Sequence, residues 1–215
     1  MNILVIGATG GTGRATCAAL LARGHRVTGF SRHASALPGQ PGLTTVDGDA
    51  TSSRDLDAVL PGHDAVVVIL GISEPTLRVR LRGAQGTPDD VRSRATALLV
   101  AAARRAGVRR VIVQSSYGVG ETRTRLRLRD RLVFAMFIAP QIADTEIQEG
   151  VLRGSDLDWT IVQPVYLTDG DDPTHLVTLD GTTRRRSVSR RGVAAVHADL
   201  VERADLARRT VSVSG

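Results

Sequence analysis

The run Gln114-Ser115-Ser116-Tyr117 sets two hydroxyls and a phenol side by side after an apolar stretch. A serine hydroxyl can hydrogen-bond a carbonyl oxygen, and a nearby tyrosine can donate a proton to it. A second run carries different chemistry. Gly7-Ala8-Thr9-Gly10-Gly11-Thr12-Gly13 has Ile3-Leu4-Val5-Ile6 directly before it and a helical pattern from Arg14 to Ala22 directly after. Strand, glycine loop and helix, in that order, are the context in which a glycine motif holds a dinucleotide. Gly7 permits a tight turn, Gly10 lets backbone approach a pyrophosphate, and Gly13 lets the helix pack closely on the sheet. The free N–H groups and positive end of the helix then face the phosphates, with Thr9, Gly11 and Thr12 completing the cradle.

The remaining candidates follow the other apolar runs, because ligands of open α/β sheets bind beyond the carboxyl ends of the strands. Phe30-Ser31-Arg32-His33 holds no acid to bind a ribose 2′-hydroxyl. Arg32, with Ser31 beside it, can instead bind a 2′-phosphate, which predicts NADP(H) in preference to NAD(H). The plain alternative is an exposed arginine in an arginine-rich chain, and His33 reads as a solvated bystander. Asp49, next to Ala50, can accept a bond from an adenine amino group; it can equally cap the helix that follows. Leu70-Gly71 leaves room for backbone beside a ribose. Ser115 is assigned to the cofactor, and Ser116 and Tyr117 to catalysis, against the alternative that the serines only cap the strand end. Pro164 and Val165 are expected under the nicotinamide ring, with Tyr166 packing on a flat substrate.

Apolar strand-like runs alternate with helical patterns along the whole chain. They predict a single α/β domain over residues 1–215, a Rossmann-type doubly wound parallel sheet with helices on both faces and a small C-terminal elaboration. Strands are expected at 2–6, 26–30, 43–47, 65–70, 109–114 and 159–163, and a last one at 210–213 near the sheet edge. Helices are expected at 11–23, 53–60, 88–106, 141–153 and 190–203. Gly24 and Gly107 stand where left-handed helix caps belong. After Pro164 the pattern loosens, and 164–192 reads as the substrate side, with short strand-like pieces at 176–179 and 187–188.

All 28 basic residues of the 215 are arginine, and the net charge is +6. No lysine exists to form a Schiff base or act as a tunable amine. The six aromatic residues are too scattered for a base-stacking platform, so the basic charge points to small anionic ligands and away from nucleic acid. Arginines alternate at 78, 80 and 82, and again from Arg123 to Arg131. Both runs leave the same sheet edge and are expected to border one pocket mouth. There Arg125 and Arg127 would bind an acidic small substrate, or an acidic protein carrying it; a solvated basic segment is the alternative. The single Cys17 excludes an internal disulfide and reads as a small core residue. No metal site is assigned. No apolar stretch approaches the roughly 20 residues of a spanning helix, and no leader pattern opens the chain. A cytoplasmic protein without membrane partners is expected, of open oligomeric state.

Taken together, these positions resemble the atypical short-chain dehydrogenase/reductase superfamily. The resemblance is strongest to its NAD(P)-binding NmrA-like branch, which includes the flavin reductase/biliverdin-IXβ reductase type. Beyond the glycine loop it is carried by Ser31-Arg32, Gly48-Asp49, Leu70-Gly71, Ser115-Ser116, the stretch from Leu157 to Pro164, and Val177-Thr178-Leu179-Asp180-Gly181. It implies pyrophosphate binding at Gly10 to Gly13, Arg32 on the 2′-phosphate, Asp49 near adenine, and Ser116 facing the nicotinamide and a substrate carbonyl. The chain departs from the superfamily's Tyr-x-x-x-Lys, because Glu121 stands four places after Tyr117. Where several relatives hold a lysine in the helix after the fifth strand, the comparable region offers Thr145. An isolated tyrosine titrates near pH 10, so ionising one at pH 7 costs about 4 kcal/mol. Oxidation by a tyrosinate base suffers that cost, while a reduction uses the neutral phenol. The expected function is therefore NADPH-dependent reduction of a small conjugated, aromatic, quinone- or flavin-like acceptor. The alternatives are a non-catalytic NAD(P)-sensing regulator of NmrA type, or an isomerase, cyclase or dehydratase on the same fold.

Overall fold

The first strand, β1 (Asn2–Ile6), buries Leu4 and Ile6 in one apolar cluster and Ile3 and Val5 in another. Successive strand residues point to opposite faces, so a strand apolar at every position from Ile3 to Ile6 must be covered on both sides. The computed structural model, which describes residues 1–71, 90–125 and 139–215, supplies that cover. The other central strands are β2 (Arg26–Ser31), β3 (Leu43–Asp47), β4 (Ala65–Val68), β5 (Arg110–Gln114) and β6 (Asp158–Pro164). Helices α1 (Gly11–Ala22) and α5 (Arg190–Leu200) cover the Ile3 face through Leu20, Val193 and Val196. Helices α2 (Ser53–Val59), α3 (Val91–Ala106) and α4 (Ala139–Arg153) cover the other face, where Leu56, Leu99 and Leu152 join Trp159.

The C-terminal part adds β7 (Tyr166–Thr168), β8 (Leu176–Thr178), β9 (Ser187–Ser189) and β10 (Arg209–Ser214). The main sheet runs β3-β2-β1-β4-β5-β6-β10-β8, parallel throughout except for β8, and β7 pairs with β9 in a separate ribbon. The expected doubly wound architecture is present, and the strand order reverses between β1 and β4. That switch point is where such sheets hold ligands.

Several boundaries differ from expectation, each for a local reason. β4 ends at Val68 and not at residue 70, because Gly7 passes against the Ile69 carbonyl. The last strand, β10, does lie near the sheet edge, with only β8 beyond it. β7 is short and was not expected, its pairing supplied by distant β9. The cap of α2 is Ser52, whose hydroxyl accepts from Asp55 N–H. Gly24 and Gly107 do adopt positive φ, +79° and +73°. The arginines at 78, 80 and 82, those at 127, 129 and 131, and the predicted start of α3 at 88 and 89 lie outside the described residues. No described helix is long and apolar enough to cross a membrane.

Candidate functional site

The glycine loop is docked on the end of β2: the N–H groups of Gly7 and Ala8 both reach the Phe30 carbonyl. Gly7 has φ +88°, and a Cβ there would fall 2.2 Å from the Ile69 oxygen. A Cβ on Gly13 would fall 2.1 Å from the Gly7 oxygen, so only glycine lets α1 start this close to the loop. Gly10 is different. Its Cβ would meet nothing nearer than the Gly7 oxygen at 3.4 Å, so the fold itself does not require glycine there. Helix α1 begins without a side-chain cap and without an acidic residue in its first turn. Its leading N–H donors and positive end thus meet no capping side chain and no acid of their own first turn. At the end of β2, the Ser31 hydroxyl is buried with no partner among the described residues. An anion-ready helix end, an open Gly10 and an orphaned hydroxyl at the ribose position fit a dinucleotide.

Around that cradle the other predicted residues fall at the strand ends. Thr12 is buried, and the Thr9 carbonyl accepts from the Arg14 guanidinium at 2.5 Å. Arg32 is exposed just past β2. Asp49 caps the turn before α2, its Oδ1 accepting from both the N–H and the hydroxyl of Thr51 at 2.8 Å. Ala50 is buried, Leu70 half-buried and Gly71 exposed.

The hydroxyl run after β5 splits in two directions. Ser115 points inward and donates to Glu149 Oε1 at 2.5 Å. Glu149, on α4 and only 1% exposed, also accepts from Gln163 Nε2 at 2.8 Å and pairs with Arg153 at 3.0 Å. Gln163 in turn donates to the Val119 carbonyl and accepts from the Thr122 hydroxyl. This buried network locks residues 115–122 against α4 and β6. Ser116, the next residue, is half-buried, with a 3.5 Å contact to the Tyr117 carbonyl. Tyr117 N–H donates to the Pro164 carbonyl, and its phenol donates to the Gly181 carbonyl at 3.0 Å. Arg125 lies over the same Gly181, and Thr182 with Arg125 holds the Asp180 carboxyl below its ordinary range. Ser116, Tyr117, Pro164 and Arg125 are therefore gathered at one end of the sheet. Val165 is half-buried there, while Tyr166 is 77% exposed and projects into solvent.

Three residues of this region escaped the sequence reading. Arg92 Nη1 donates to the Thr145 hydroxyl at 2.5 Å, and its Nη2 lies 3.3 Å from where a Cβ of Gly71 would stand. It sets a cation between the end of β4 and α4, backed by Asp144, which accepts from the Arg92 and Ser93 N–H groups. Burial pulls the Arg92 guanidinium below its ordinary value and the Asp144 charge opposes that. Glu149 left one trace, its i,i+4 spacing to Arg153. Arg190 left none, yet its side chain crosses Gly11 of the glycine loop.

The sequence profile of the NAD(P)H-binding family matches residues 7–204. A 3-beta-hydroxysteroid dehydrogenase of Mycolicibacterium neoaurum is 35% identical over 124 residues, 55% of this chain but 32% of that protein. The chain thus matches about a third of that relative's length. A short-chain dehydrogenase/reductase of Veillonella parvula, solved in complex with NADP, superposes with a TM-score of 0.81 at 19% identity, covering 100% of this chain and 94% of the other. ChuY, an anaerobillin reductase of Escherichia coli O157:H7, gives 0.77 at 24% identity, covering 100% and 97%. The fold is that of the atypical short-chain dehydrogenases/reductases, and the chain belongs to the NAD(P)H-binding family.

Proposed function

We propose that this protein is an NADPH-dependent reductase acting on a small conjugated, aromatic, quinone- or flavin-like acceptor. The observation that carries the reading is the half-buried pair Ser116 and Tyr117, gathered beside the Pro164 carbonyl at one end of the sheet in a chain without lysine. A reduction consumes a proton that a phenol can supply, whereas alcohol oxidation needs a base, and the chain has no lysine to help form one. The nicotinamide, when bound, supplies the hydride. Ser116 hydrogen-bonds the acceptor oxygen, and Tyr117, turning from the Gly181 carbonyl, gives the proton. The Glu149 network keeps their loop in place, so little reorganisation accompanies the step. Gly10 to Gly13 take the pyrophosphate, Arg32 and Ser31 the 2′-phosphate, Asp49 and Ala50 the adenine, and Leu70 and Gly71 a ribose. Ser115 (through its backbone), Pro164 and Val165 border the nicotinamide. Tyr166 packs on the flat part of the substrate and Arg125, which lies over Gly181, binds its acidic group; the same role is proposed for Arg127, which falls outside the described residues.

A second reading, a non-catalytic dinucleotide sensor, draws on the internal partners that already occupy the Ser115 and Tyr117 hydroxyls. The two are separated by mixing protein and NADPH with quinones, flavins and enones, with and without acidic substituents, and following nicotinamide absorbance. The reductase reading expects oxidation of NADPH, a preference for acidic members, and losses of about 100-fold in kcat for Ser116→Ala and Tyr117→Phe. Tight NADPH binding with no oxidation across the panel selects the sensor. Turnover unaltered in both variants removes the two hydroxyls from the mechanism.

A further inference from the structure

We propose that Arg190 is a phosphate ligand of the bound dinucleotide, held in reserve by Asp169. The proposal rests on the dinucleotide reading of the glycine loop. Arg190 opens α5, yet its side chain lies across the first turn of α1. A Cβ on Gly11 would fall 2.9 Å from both its Cδ and its Nε, so the absence of a side chain at Gly11 is what gives the arginine this place. Helix α1 meets that cation with its own positive end, uncapped and without a first-turn acid. Helix α5 starts Arg190-Arg191, again with no acid in its first turn. Basic residues at a helix N-terminus are opposed by the macrodipole. The Arg190 guanidinium and the uncapped start of α1, both positive, therefore meet beside the loop.

The charges that offset them are weak ones. Asp169 Oδ1 lies 2.8 Å from Arg190 Nη1, and Asp171 Oδ1 lies 3.1 Å from Arg191 Nη2. Both carboxylates are almost fully exposed, at 90% and 84%, where an ion pair contributes little. A pyrophosphate on the α1 amides brings a stronger anion beside the same guanidinium, whose planar fork matches phosphate oxygens. Arg190 is then exchanged from Asp169 to the cofactor. Dinucleotide and Asp169 compete for one cation, and filling the site frees the Asp169 carboxylate, which follows β7 on the substrate side.

Calorimetric titration with NADPH, NADH and adenosine 2′-monophosphate, which lacks the pyrophosphate, tests this. Arg190→Gln is expected to weaken NADPH and NADH by the same factor, about tenfold or 1.4 kcal/mol, and to leave the monophosphate unchanged. Arg190→Lys, which keeps the charge and loses the fork, is expected between wild type and Arg190→Gln. Asp169→Asn is expected to tighten both dinucleotides about threefold, and to do nothing once Arg190 is glutamine. Unchanged affinity in a folded Arg190→Gln, a loss confined to NADPH, or an Asp169→Asn effect that persists without Arg190 overturns the proposal. Wild-type protein that binds neither dinucleotide overturns the proposed function along with it.

Discussion

Arg32 and Arg190 are the same side chain with different evidence behind them. Arg32 follows a strand whose end conventionally carries the ribose-reading residue, so its position alone suggested a role. Its substitution gives a direct prediction: Arg32→Asp should cost NADPH about 10- to 100-fold in affinity, the scale of a lost charge-assisted bond, while NADH gains. Fluorescence titration of both dinucleotides checks this; equal losses for the two would return Arg32 to the solvated surface. Arg190 and Arg92 were invisible among 28 arginines because their placement comes from Gly11, 179 positions away, and from Thr145. Cys17 illustrates the opposite case. The sequence suggested a small core residue, and burial pushes its thiol up to about 12, so it carries no thiolate at neutral pH.

Within the loop and α1, the glycines divide by what their missing Cβ would touch. At Gly13 it would strike backbone, the Gly7 oxygen and Ala8 Cα, which cannot swing aside. Gly13→Ala should therefore destabilise the protein by about 3 kcal/mol, the upper range for overpacking. At Gly10 the space is ordinary and the backbone conformation, φ −69°, suits any residue. Gly10→Ala should leave the melting temperature nearly unchanged and lower NADPH affinity, because its Cβ would occupy ligand space. Melting curves and NADPH titration of the two variants check the division; equal destabilisation by both would leave Gly10 with only a structural role. Helix ends were similarly legible where chemistry is local. Gly107 capping α3 could be foreseen, whereas Arg110 closing the end of α5 through the Leu200 carbonyl at 2.6 Å could not.

At the scale of the whole molecule, α1 and α5 pack together and share a buried polar contact across 181 positions, Thr16 Oγ1 to His197 Nδ1 at 3.0 Å. Burial without a compensating charge pulls the His197 imidazole from 6.5 down to about 3. The unfolded chain then binds a proton that the folded chain refuses, so stability is full above pH 6.5 and falls as the pH drops. Between pH 7 and pH 5 the loss should be about 2 kcal/mol. Urea unfolding at the two pH values, in wild type and His197→Gln, measures it; an equal loss in both proteins would place the sensitivity elsewhere. The same pairing of α5 with α1 carries Arg190 onto the glycine loop. By itself the sequence determined the sheet, its helical layers, the dinucleotide loop and the lack of a lysine base, because periodicity, glycine punctuation and composition are local properties. Only the tertiary structure decided which arginines reach the site, which way Ser115 and Ser116 face, and that Glu149 locks their loop. Those outcomes depend on contacts between elements far apart in the chain, where many identical side chains compete and only packing selects among them.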